Sequence, residues 1–352
     1  MMTIPFSPQT YARPQFHGGD LRWAEIHFGH AAKTWLDLST GINPNAYPVP
    51  EISQTAWQRL PGSELEDELL SAARAFYQLP KSADIVALPG TQSAIQLLPR
   101  LFPACAVDII SPTYSEHFQS WSRGGHDVQA IPLLKDIRAE TEFAVLVHPN
   151  NPDGNVLSRD EILILARELR SCGGWLIVDE AFADTEPALS FAQDLDSNGF
   201  IILKSFGKFF GLAGLRLGFL LAPPSVTSQI REGLGPWAVS GIAMEVGKAA
   251  LGDQNWIMST RNKLTSASQR LRALLSLSGL QLAGSTSLFQ LIESPHSEAL
   301  FTHLCEAGIL CRIFPDRPGY LRFGLPGTEK DWLRLKNALE QWSVPTPPSL
   351  SD

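Results

Sequence analysis

Short apolar runs separated by turn residues dominate the middle of the chain, and their spacing predicts alternating strands and helices. Asp84-Ile85-Val86-Ala87-Leu88 reads as a strand, followed by Pro89-Gly90-Thr91-Gln92 and a helix through Leu98. Ala106 to Ile110, Ala144 to Val147, Trp175 to Val178, Phe200 to Leu203 and Gly218 to Leu221 read as further strands. Each is too short for a helix and apolar on both sides, the pattern of a strand covered on both faces. Upstream, Leu65, Leu69, Ala72, Ala73 and Phe76 can share one face of a helix over 64–76, with Ser63 as its cap. Ser158 and Glu161 have capping-box spacing before a helix that stops at Gly173-Gly174. The result is an α/β fold with a mostly parallel sheet.

Beyond Pro223-Pro224 the pattern changes. Met244 to Leu277 is a long helical stretch with breaks. Then come a strand at Leu288 to Ile292, a helix at Ser297 to Ala307, a strand near Tyr320 to Phe323 and a helix at Lys330 to Trp342, the elements of a smaller α+β domain. Residues 1–50 are irregular and rich in Gly, Pro, His and Asn, and the polar, Pro-rich end reads as a loose tail.

Composition narrows the function. The 352 residues are 44% hydrophobic and 18% charged, with a formal net charge of -8. That balance disfavours a general nucleic-acid or anionic-membrane surface, while local arginines can still hold small anions. Cys105, Cys172, Cys305 and Cys311 form no CxxC pair and read as reduced, which suits a cytosolic setting. No basic region followed by an apolar one opens the chain, and the longest apolar runs are strand-sized. His27 and His30 have helix-face spacing but no evident third metal ligand, so a structural role is expected.

The chemistry concentrates just after strand ends, where open α/β sheets place their ligands. Lys208 stands in Ser205-Phe206-Gly207-Lys208, with Arg216 eight residues on. Asp179 ends an apolar run, and Asn151 opens Asn151-Pro152-Asp153-Gly154. Together these supply an amine for an imine, donors for a phosphate and a carboxylate for a ring nitrogen: the parts of a pyridoxal phosphate site. Ser205 offers a hydroxyl, Arg216 a fork of donors, and Gly90-Thr91-Gln92 the free N–H groups of a helix start. Tyr114 can stack on a ring and Asn151 can bond its hydroxyl, though each also suits an ordinary core or turn role. Arg322, at a strand end in the smaller domain, can take a carboxylate or make a plain salt bridge.

In order and spacing, the motifs Asn150-Asn151-Pro152-Asp153-Gly154, Asp179-Glu180-Ala181-Phe182 and Ser205-Phe206-Gly207-Lys208 through Arg216 resemble the aspartate aminotransferase superfamily. Within it the chain is similar to the histidinol-phosphate aminotransferase-like branch. The opening His17-Gly18-Gly19-Asp20 and Leu38-Ser39-Thr40-Gly41-Ile42-Asn43-Pro44 looks like that of the threonine-phosphate decarboxylases of cobalamin synthesis. The resemblance implies a type I pyridoxal phosphate fold with a seven-stranded sheet and a homodimer. It implies Lys208 as the imine-forming lysine, Asp179 at the ring nitrogen, Asn151 at the ring oxygen and Tyr114 stacked. Thr91, Ser205 and Arg216, with Gly90 and Gln92, would hold the cofactor phosphate. Arg322 would take the substrate carboxylate with Gly41 and Asn43 beside it, and His17, Arg22 and Arg317 are candidates for the substrate phosphate.

The implied domains are an arm and substrate-side loop (1–50), a large cofactor-binding domain (51–223), a helical connection (224–278), a small domain (279–345) and a tail (346–352). The implied reaction is decarboxylation of L-threonine O-3-phosphate. Transamination shares every cofactor contact, and a noncatalytic scaffold retaining the fold is the third reading. Two positions depart from the pattern. Phe182 stands where many relatives have a tyrosine bonding the ring oxygen, and Arg59-Leu60-Pro61 lacks the tyrosine of an Arg-Tyr-Pro segment that reaches a partner's cofactor.

Overall fold

The structure, a computed structural model, describes residues 17–29, 34–195 and 199–343. The tail 346–352, His30 and the first sixteen residues of the arm lie outside the described residues. The chain forms two compact units. One is built on Ala46–Asn262, and the other joins segments of Met1–Asn45 and Lys263–Asp352.

The Ala46–Asn262 unit holds a seven-stranded sheet. In spatial order its strands are Asp84–Leu88, Gly218–Ala222, Phe200–Ser205, Trp175–Asp179, Phe143–Val147, Ala106–Ile110 and Asp127–Ile131. Gly218–Ala222 runs antiparallel to both neighbours, and all other pairs are parallel. The apolar runs are buried on both faces because helices cover both. On one face Leu88, Leu98, Val107, Ile109, Trp121 and Ile177 belong to a continuous core. Burying each such side chain contributes about 1.5–3 kcal/mol.

Several boundaries differ from the pattern's expectation for physical reasons. The cap of helix Ser63–Tyr77 is Gly62, not Ser63, because Gly62 holds the extended backbone and Ser63 is already helical; Glu64 and Glu66 then meet the positive end of the helix. Ser158 caps helix Arg159–Ser171 by position but makes no side-chain cap bond, so no capping box forms. Asp127–Ile131 is a strand that polarity concealed: it lies at the sheet edge and is largely exposed. The unit also runs past Pro223-Pro224, since helix Pro224–Leu234 packs on Thr91–Leu101 and helix Gly241–Gly252 on Ser63–Tyr77.

The second unit carries an antiparallel sheet in the order Arg312–Ile313, Tyr320–Gly324, Phe289–Glu293, Gln281–Thr286, and a parallel pair of Leu36–Asp37 with Ile309–Leu310. Its helices include Ser297–Glu306 and Glu329–Glu340, the latter opened by a complete Thr328–Asp331 capping box. Among the described residues, no helix is long and apolar enough to cross a membrane.

Candidate active site

The C-terminal strand ends of the seven-stranded sheet gather the chemistry. Strand Trp175–Asp179 ends on Asp179, whose carboxylate is 4% exposed. Its Oδ2 accepts a hydrogen bond from His117 Nε2 at 2.9 Å, and its Oδ1 accepts from the Ala181 N–H at 3.1 Å. Each oxygen keeps a lone pair for a further donor, such as a protonated ring nitrogen. His117 is missing from the residues singled out in the sequence. It lies on helix Ser115–Arg123, whose buried face is Glu116, His117, Ser120 and Trp121. Those positions have helical spacing, but three of the four are polar, so a search for apolar periodicity passes over them.

Tyr114 immediately precedes this helix and meets His117 edge to face, with ring centroids 6.1 Å apart. Its hydroxyl donates to Gln92 Oε1 at 3.3 Å, and Gln92 Nε2 donates to the buried Glu116 at 2.9 Å. Gln92 is thus tied to the ring region by its side chain, while its N–H remains in the first turn of helix Thr91–Leu101. The turn before Asn151 is fixed by Asn150, which donates to Pro112 and Asp153 and accepts from Thr113. Burial pushes the neighbouring His148 imidazole down, although Glu180 opposes this, and the His148 N–H donates to the Asp179 carbonyl.

The candidate phosphate donors lie near one another. Helix Thr91–Leu101 starts at Gly90 with no side-chain cap, leaving its first N–H groups available to an anion. Gly90 has φ +82, and a Cβ there would stand 2.5 Å from Arg216 Nη2, so the guanidinium lies directly over the helix start. Arg216 itself sits in the left-handed region, its Nη1 donating to the Ala213 carbonyl at 3.0 Å. Ser205 pairs with Gly218, and Gly218 in turn lies against the Thr91 N–H. Arg216 and the Gly90–Thr91 helix start thus lie together, with Ser205 on the strand paired to Gly218 beside them.

Lys208 follows on the short helix Phe206–Phe209. Its Nζ lies 5.6 Å from the ring centroid of the buried Phe182. Phe182 lies in the turn closed by the Ala183 N–H donating to the Glu180 carbonyl, which directly follows Asp179, so the amine lies beside the turn that the carboxylate precedes.

The other unit collects the remaining candidates. Arg322 is buried on strand Tyr320–Gly324, and its Nη2 donates to the Ser39 carbonyl at 3.2 Å. Gly18 packs so closely on the same carbonyl that a Cβ would stand 2.3 Å from it, and the Gly19 N–H donates to Ser39 Oγ at 2.7 Å. The His17-Gly18-Gly19 turn, the loop leading to Gly41 and Asn43, and Arg322 are thereby brought together. Asn43 is buried, its Oδ1 accepting from the Asn45 N–H. Burial, and then Arg312, hold the Arg322 guanidinium down at about 9. Arg312 is Arg322's cross-strand register partner and escaped the sequence reading because it precedes no recognisable motif. Arg22, in contrast, is an exposed helix residue paired with Glu25, and Arg317 belongs to the turn before Tyr320. His27 bonds the Trp23 carbonyl and stacks on the Trp23 ring. Among the described residues no group of three or more His, Cys, Asp or Glu could hold a metal.

Comparison with known proteins gives the chain's family. Residues 33–339 match the family model for aminotransferase class I and II. A threonine-phosphate decarboxylase of Pseudomonas aeruginosa is 42% identical over 335 residues, covering 94% of this chain and 98% of that protein. One from Sinorhizobium sp is 42% identical over 334 residues, covering 94% and 99%. Among solved structures, the histidinol-phosphate aminotransferase of Sinorhizobium meliloti in complex with pyridoxal-5'-phosphate superposes with a TM-score of 0.78, at 19% identity, over 95% of this chain and 98% of that one. With its family model spanning both units and the site described above, this chain belongs to the aminotransferase class I and II family.

Proposed function

We propose that the chain is a pyridoxal 5'-phosphate-dependent lyase that decarboxylates L-threonine O-3-phosphate to (R)-1-amino-2-propanol O-2-phosphate and CO2 in cobalamin biosynthesis. The cofactor is supported by the residues present: donors for its phosphate, a buried acid for its ring nitrogen and an amine beside the turn that follows that acid. The reaction is carried by one observation, 42% identity over nearly the full length of two proteins named for it.

When bound, the cofactor supplies an electron sink for the pair released at the substrate α-carbon. Asp179 keeps the ring nitrogen protonated, and His117 holds that carboxylate in place. Thr91, Ser205 and Arg216 bind the phosphate with charge-assisted bonds, and Asn151 faces the ring oxygen. Tyr114 covers one ring face, held by Gln92. Lys208 Nζ would hold the cofactor aldehyde and would be the group placed to give a proton to the substrate α-carbon. Arg322 takes the substrate carboxylate beside Gly41 and Asn43. Its neighbour Arg312 adds a second guanidinium suited to a dianion, with His17 and Arg317 as further phosphate donors.

The chain works in the cytoplasm as a homodimer. The exposed Val49, Trp57, Leu60 and Trp237 supply apolar surface for such an interface. Transamination of histidinol phosphate is the second reading, since it would use the same cofactor contacts. The test offers threonine phosphate without an oxo acid, and in parallel histidinol phosphate with 2-oxoglutarate. CO2 and aminopropanol phosphate from the first support the proposal. Glutamate from the second, with no CO2 from the first, defeats it.

A further inference from the structure

We infer that Glu180 and Lys204 are a positioning pair, holding in register the two strand ends that carry Asp179 and the Ser205–Lys208 turn. This rests on the cofactor reading above and deepens it.

Strands Trp175–Asp179 and Phe200–Ser205 pair in parallel up to Asp179 and Leu203, and the Glu180 N–H makes a last bond to the Leu203 carbonyl at 2.9 Å. There the ladder between them stops. Lys204 and Ser205 pair instead with Phe219 and Gly218 on the other side. The reacting groups project at the point where backbone pairing between these two strands has run out.

Side chains continue the link. Lys204 Nζ lies 2.5 Å from Glu180 Oε2 and 3.3 Å from Asp184 Oδ1, and donates to Ser190 Oγ at 3.1 Å. Glu180 also accepts from the Phe191 N–H at 2.7 Å and the Ser190 hydroxyl at 2.6 Å. Lys204 is 1% exposed, Glu180 0% and Asp184 4%. The ammonium lies 4.9 Å from the Tyr77 ring centroid, and Arg261 Nε donates to the Asp184 carbonyl at 3.0 Å. Burial alone would lower the Lys204 ammonium, but Glu180 and Asp184 outweigh it and keep the lysine charged.

Glu180 and Asp184 bracket the Ala181-Phe182-Ala183 segment, and Phe182 is the ring beneath Lys208. One buried ammonium thus pins both ends of that segment to the residue preceding Ser205. Buried ion pairs stabilise a fold little compared with apolar packing, because desolvation offsets their attraction. Their directional geometry is what an apolar pair of equal volume would lack. Lys204 is also excluded as the cofactor amine, since its ammonium is committed to two carboxylates.

The test compares holoenzyme of wild type, Glu180→Gln/Lys204→Met, Lys204→Arg and Ser190→Ala. The readouts are cofactor dissociation constant, circular dichroism of the bound cofactor, kcat and KM separately, and melting of the cofactor-free protein. The double variant leaves Asp184 facing Arg261. It is expected to fold, to bind cofactor about tenfold more weakly with an altered dichroic band, and to lose roughly tenfold or more in kcat at nearly unchanged KM. Lys204→Arg, which keeps the charge, is expected to retain the wild-type band. A folded double variant with wild-type affinity, band and kcat overturns the inference. Should that variant fail to fold, Ser190→Ala decides: a weakened dichroic band and a fall in kcat of about threefold support the pair, and a purely thermal loss overturns it. Wild-type protein that binds no cofactor would instead overturn the functional reading itself.

Discussion

Asp179, His117 and Phe182 show how much one side chain's surroundings decide. Asp179 was legible in the sequence as a polar residue ending an apolar run. His117 was not, because its partner is 62 residues away and only the fold joins them. Asp179→Asn removes the charge proposed to keep a ring nitrogen protonated, and kcat is expected to fall about 10²–10³-fold, a loss typical of preorganised electrostatic groups. His117→Ala frees the carboxylate without removing it, so a smaller fall in kcat is expected, with cofactor affinity weakened; stopped-flow and equilibrium titration separate the two. Phe182→Tyr places a hydroxyl at a buried position. In cofactor-free protein this should cost about 1–3 kcal/mol as an unsatisfied group. With cofactor bound, the ring oxygen can accept it, and the melting difference from wild type should shrink. An equal loss with and without cofactor would contradict the placement of the ring oxygen.

Elements bring these residues together, and turns set the tolerances. At Gly90 the positive φ and the Arg216 guanidinium leave no room for a side chain. Gly90→Ala is expected to strain the backbone by about 1–3 kcal/mol and to displace Arg216, seen as weaker cofactor binding by absorbance titration. Away from the site, Asp84 ties the edge strand Asp84–Leu88 to helix Pro224–Leu234 through Arg231 at 2.7 Å. Burial pushes its carboxyl up, but bonds from Arg231, Thr227 and the Ile85 N–H outweigh this and hold it at about 2. A carboxyl depressed in the folded state stabilises above its unfolded value and loses that contribution as pH falls toward its folded value. The stability gap between wild type and Asp84→Asn should therefore be constant above about pH 5, shrink as pH falls through the folded value, and close only at about pH 1. For so exposed a pair its size is at most about 1 kcal/mol, measured by urea unfolding at each pH. The central strands were legible because burial on both faces makes them uniformly apolar. The edge strand Asp127–Ile131, helix Ser115–Arg123 and strand Gln281–Thr286 were not, since each mixes polar residues into a face that only tertiary packing defines.

For the molecule as a whole, sequence motifs specify a cofactor better than a reaction, because decarboxylation and transamination use the same strand-end groups. What the motifs do not specify is assembly and substrate. The substrate side depends on Arg322 meeting Ser39 and the His17-Gly18-Gly19 turn, a pairing across 283 residues that no local pattern announces. Arg322→Gln is expected to raise KM for threonine phosphate about tenfold or more, the loss of a charged bidentate partner, while leaving cofactor affinity unchanged. Equal loss of both would remove Arg322 from substrate recognition. The claim beneath all of this is that Lys208, and not the lysine four residues before it, carries the cofactor. Borohydride reduction of the purified holoenzyme followed by fragmentation mass spectrometry locates the attachment directly. The account requires the reduced cofactor adduct on Lys208 with Lys204 unmodified; an adduct on Lys204, on another lysine or on none contradicts it.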